Sequence, residues 1–119
     1  MKFKNSELVE ISNNIKGMDA TTVLPVKAAY AIVRNKHALQ NALEAYWETR
    51  NGIISKYSNG GTSLNAKDNP EGFNKAVADI SELDKEECDV DIRMVKADDL
   101  GTGEVPLNLI DAIGFMIED

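Results

Sequence analysis

Apolar positions along this chain repeat with helical spacing in four places and alternate in one. Leu8, Ile11 and Ile15 recur at intervals of three and four, which predicts a short amphipathic helix over 6–16, capped by Asn5 or Ser6 and ended by Gly17. Residues 18–23 read as a connector. From Pro25 to Tyr57 no helix breaker intervenes except Gly52, and alanines, leucines and other strong helix formers fill the run, predicting one long helix over 25–57 with Pro25 opening it. Asn51-Gly52 is its weakest point, since an interior glycine costs about 1 kcal/mol relative to alanine.

Two apolar stripes are legible on that helix. Val26, Tyr30, Val33 and His37 form the first; Leu39, Leu43, Tyr46, Trp47, Ile53, Ile54 and Tyr57 form the second, with a shift of face around residues 36–40. Segment 58–69 is rich in Gly, Asn and Ser and reads as a mobile loop. Asn69-Pro70-Glu71 carries the cap, first-turn proline and first-turn acid of a helix start. Phe73, Ala76, Val77, Ile80 and Leu83 then give a stripe over a helix 70–86. That helix is predicted to fold back along the long one.

Residues 89–95 alternate, with Val90, Ile92 and Met94 against Asp89, Asp91 and Arg93. This is the pattern of a half-buried strand, and the segment around Phe3 is its expected partner. A turn follows at Gly101-Thr102-Gly103, and a last helix over 106–117 would turn Leu107, Ile110, Ile113 and Ile117 inward. The predicted fold class is mainly α with a minimal two-stranded β element, an elongated long-helix/short-helix hairpin, in a single domain 1–119. At 1.5 Å per residue the long helix alone spans roughly 50 Å. Its first stripe has only the short first helix to cover it, so Val26, Tyr30 and Val33 are expected to remain exposed. An uncovered stripe of that length predicts a homodimer or higher homo-oligomer, with a two-fold pair as the simplest solution.

Composition narrows the function classes. The chain has 119 residues and a formal net charge of −7. The charge is unevenly spread: 24–57 holds five basic and two acidic residues, 68–119 four basic and fifteen acidic ones. No dense basic stripe is present, so direct DNA binding is not expected. No apolar run approaches the roughly 20 residues of a membrane span. With no secretory signal and one cysteine, the expected compartment is the cytoplasm.

The chemistry-bearing residues are sparse. His37 is the only histidine and has no Ser or Cys at triad-compatible helical spacing. The acidic run from Glu82 to Asp91 lacks the glycine and closing glutamate of a calcium loop, and Cys88 inside it has surroundings unsuited to a nucleophile. The chain therefore predicts no enzyme, no cofactor and no metal. The one constellation suited to a ligand is Arg34, Trp47, Arg50 and Tyr57, with Arg93 from the strand. Aromatics can stack on a base, and arginine can fork onto a phosphate.

Three segments, MKFKNSEL from Met1, LPVKAAYAIVRN from Leu24 and PEGFNK from Pro70, together with the order of elements, resemble a loose group of small phage and prophage proteins of low-GC Gram-positive bacteria. The resemblance implies an accessory role in the host bacterial cytoplasm. The resemblance does not itself choose between anti-defence and assembly; the leading expectation is a non-enzymatic binding protein that antagonises bacterial defence, either by sequestering a small nucleotide signal at the five residues above or by blocking a host defence protein with the acidic C-terminal half. The alternative is a virion or tail assembly chaperone acting through protein contacts.

Overall fold

The computed structural model describes residues 1–16, 24–101 and 105–118. The helix stop read at Gly17, the connector over 18–23 and the turn at Thr102-Gly103 lie outside them. Four α-helices are formed among the described residues: α1 Asn5–Ile15, α2 Val26–Tyr57, α3 Pro70–Lys85 and α4 Leu107–Ile113. The molecule measures 55 × 24 × 19 Å, with a radius of gyration of 17.9 Å against about 13 Å for a compact domain of this size. α2 is its spine, and it runs through Gly52 without interruption. α3 lies back along α2 as a hairpin, and α1 packs against α2, α3 and α4. No described helix is long and apolar enough to cross a membrane.

The caps explain the boundaries. α1 is not capped by Asn5 or Ser6; instead the Glu7 carboxylate reaches back to accept the Lys4 N–H at 2.9 Å. Asn5 is buried in the first turn and donates to the Leu83 carbonyl at 2.8 Å, tying α1 to the end of α3. Asn69 caps α3 as expected, accepting from Gly72 N–H at 3.0 Å, and its amide also donates to the Tyr57 carbonyl at 3.1 Å. A Cβ on Gly72 would sit 2.9 Å from that same carbonyl, so the close approach of α3 to the end of α2 requires glycine there.

The β element departs from the single predicted strand. β1 (Lys2–Lys4) pairs antiparallel with β2 (Glu87–Asp89), placing Phe3 opposite Cys88, so the partner of Phe3 lies just before the predicted strand 89–95 and shares only Asp89 with it, and residues 90–94 form no strand. The chain then leaves the ladder, and β3 (Val95–Lys96) pairs in parallel with β4 (Ile117–Glu118). There are thus two minimal two-stranded sheets among the described residues. The inward set Val90, Ile92 and Met94 is still more buried than Asp89, Asp91 and Arg93. α4 is correspondingly shorter than predicted: after Ile113 it tightens into a 3₁₀ turn, Gly114–Met116, that delivers Ile117 to β3. Leu109, Ala112 and Ile113 carry its buried face, whereas Leu107 is 73% exposed.

The buried face of α2 also differs from the two-stripe reading. It runs without a shift through Ala28, Ile32, Asn35, Leu39, Leu43 and Tyr46, at steps of three and four. Asn35 is the one polar member, 1% exposed. Its amide donates to the Arg93 carbonyl at 3.0 Å while its oxygen accepts the Arg93 N–H at 2.8 Å. A side-chain amide thereby supplies both hydrogen bonds that a neighbouring strand would have supplied, which is how the chain can leave the ladder after β2 without orphaning Arg93.

Candidate functional site

The hairpin of α2 and α3 leaves a groove of about 410 Å³ along its length. Its walls are apolar: Ile54 from α2, Phe73, Ala76, Val77 and Ile80 from α3, and Leu64 from the intervening loop. Val77, read as inward from its spacing, is 50% exposed, because α3 turns it to the groove mouth rather than to α2.

Arg50 and Asp84 stand at one end. Asp84 accepts the Tyr46 hydroxyl at 2.6 Å. Trp47 meets Tyr46 edge-on at 5.0 Å between ring centroids, and Arg50 lies over the Trp47 ring at 5.7 Å. Burial pushes the Tyr46 phenol up from 10.0 to about 12, the hydrogen bond to Asp84 and its charge add to the rise, and Arg50 works against it.

A raised folded-state value means that the bonded phenol stabilises the fold fully below the unfolded value and is lost as pH climbs through the folded one. Stability is therefore expected to fall as pH rises from 10 toward 12. The check is the difference in unfolding free energy between wild type and Tyr46→Phe. It should be flat below pH 10 and shrink above it.

The five residues read as a nucleotide site do not converge. Trp47 and Arg50 are brought together. Trp47 is 42% exposed and lines a different groove, of about 450 Å³, with Ser12, Gln40 and Glu44. Tyr57 donates its hydroxyl to Asp79 at 2.7 Å and carries the Lys56 ammonium over its ring at 5.1 Å. Arg93 lies over Tyr30 at 5.7 Å, near the other end of α2. Arg34 is exposed there, roughly 24 Å along the helix from Arg50 at 1.5 Å of rise per residue. No described cavity is lined by more than one of the five.

His37 is exposed, and no group of three His, Cys, Asp or Glu among the described residues converges on a metal position. Sequence reasoning missed Asp84 and Leu64, the groove residues contributed by the acidic run and by the loop. The signal for Asp84 was that a buried tyrosine hydroxyl requires an acceptor, and in an antiparallel hairpin the acidic end of α3 lies in the region of Tyr46. No family model, curated protein or solved structure matches this chain.

Proposed function

We propose that this chain is a non-enzymatic, phage-derived binding protein that antagonises bacterial defence by holding an amphipathic segment of a host defence protein in the α2–α3 groove. The observation that carries this reading is the groove itself: apolar walls closed at one end by Arg50 and Asp84. Such walls accept apolar side chains, and opposite charges at the rim orient a peptide. A phosphate is poorly served there, because the Asp84 carboxylate stands beside the only arginine. The blocking version is therefore favoured over the nucleotide-sequestering one. The phage setting rests on the resemblance of the three sequence segments.

The test is phage challenge of bacteria carrying defined defence systems, with wild type or Val77→Glu expressed in the host. Wild type is expected to restore phage plating against at least one system, and Val77→Glu to lose that effect. A substitution at this half-exposed position should leave stability within about 0.5 kcal/mol. Restoration that survives Val77→Glu would remove the groove from the account. No restoration in any system, with virion yield falling on deletion of the gene, would favour the assembly role. Calorimetric titration with cyclic dinucleotides is expected to show no heat; binding abolished by Arg50→Ala would reinstate nucleotide sequestration.

A further inference from the structure

The face of α2 turned away from the core has a regularity of its own. Val26, Tyr30 and Val33, then His37 and Gln40, then Glu44 and Trp47 follow one another at steps of four and three, and every one of them is exposed. This is the seam spacing of a two-stranded coiled coil. Tyr30 is 56% and Trp47 42% exposed, and each lines a shallow groove at its own end of the seam, of about 280 Å³ and 450 Å³. The seam ends before Ile54, so it is separate from the α2–α3 groove.

We infer that this seam pairs with the same seam of a second copy, antiparallel, about a two-fold axis passing between His37 and Gln40. Charge sets the direction. From Val26 to Leu43 the helix carries Lys27, Arg34 and Lys36 and no acid, and Glu44 and Glu48 follow. Parallel pairing would set Glu44 on the partner's Glu44 within the seam, and like charges at that position repel. Antiparallel pairing sets Arg34 beside the partner's Glu44, twice by symmetry, and Tyr30 against the partner's Trp47, one aromatic entering the groove of the other. Arg34, Glu44 and Glu48 have no ion-pair partner among the described residues. Arg93, stacked on Tyr30, adds a further cation to the basic end. The inference goes beyond the proposed function, and the pairing leaves the α2–α3 groove open.

The test is a charge exchange read by sedimentation equilibrium over a dilution series of the full chain. Wild type is expected to dimerise reversibly. Arg34→Glu and Glu44→Arg should each raise the dimer dissociation constant by about tenfold or more, since each turns two symmetric attractions into repulsions. The double variant Arg34→Glu/Glu44→Arg should return it to within about threefold of wild type, as expected when a coupled pair is reversed. Both substitutions lie on exposed positions, and circular dichroism should confirm unchanged helix content in all three variants. A monomeric wild type at millimolar concentration would overturn the inference. So would a double variant no tighter than the singles, because a parallel dimer or a dimer through another face gives that result.

Discussion

Replacing Asn35 by alanine is expected to destabilise the protein by about 2–4 kcal/mol, because it strips both hydrogen bonds from the backbone of Arg93 and leaves two partly buried groups without partners, each costing about 1–3 kcal/mol. The expected drop in melting temperature is on the order of 10 °C. The arrangement is unusually demanding. The Asn35 amide must donate to the Arg93 carbonyl and its oxygen must accept the Arg93 N–H, with the Met116 sulfur 3.2 Å from the same amide nitrogen. Asn35→Asp separates the two halves of the bond. An ionised carboxylate can still accept the N–H but faces the carbonyl oxygen with negative charge. A protonated one can donate and restores the pattern. Burial should raise the folded-state pKa of the introduced acid. A raised value gives stability that is present at low pH and lost as pH rises through it. Asn35→Asp should therefore regain stability on acidification relative to wild type, whereas Asn35→Ala should not. Chemical denaturation across the acidic range checks both.

Asn35 also explains why the sequence misleads about α2. The core stripe of that helix contains three alanines in its first two turns and then this asparagine. Neither residue type stands out as core when apolar bulk is the signal. Val26, Tyr30 and Val33 are bulkier, lie at equally regular spacing, and suggest a stripe that moves to another face after His37. The structure keeps the core on one face throughout and exposes the bulky set. Their exposure was legible on other grounds, since the short first helix offered too little apolar surface to cover them.

Elsewhere, legibility followed the strength of the local signal. The four helices lie where the periodicity puts them, and the α3 start was readable to the residue because cap, proline and acid coincide at Asn69, Pro70 and Glu71. The alternating segment after Asp89 was readable as half-buried, but not as the irregular link, residues 90–94, between a strand of one sheet and a strand of another. Alternation reports which face is inward; it carries no information on where the hydrogen-bond ladder changes partner. That change depends on Asn35, a residue far away in sequence. The candidate site was half legible for the same reason. Trp47 and Arg50 are one helical turn apart, so their contact is local. Arg34, Tyr57 and Arg93 were grouped with them by chemistry alone, and α2 is too long to bring them into one cavity.

Two leucines should mark the extremes of the response to truncation. Leu8 is fully buried and Leu107 is 73% exposed, although each lies at an apolar position in the first turns of a short helix. Leu8 belongs to α1, which packs on α2, α3 and α4 together, so a cavity there opens at the meeting point of every helix. Leu8→Ala is expected to cost about 3–5 kcal/mol, the lost transfer energy plus the cavity that rigid neighbours cannot fill. For a domain whose whole stability is about 5–15 kcal/mol, that is a third or more of it. Leu107→Ala should fall within about 0.5 kcal/mol of wild type, since its side chain is mostly in water already. Urea unfolding distinguishes them. Leu8→Ala should move the midpoint to much lower urea with the slope unchanged, while Leu107→Ala should overlay wild type. A large loss at Leu107 would mean that this side chain is covered in solution, and it would then lie in an interface distinct from the α2 seam. A small loss at Leu8 would mean that α1 is not the element joining the other three helices.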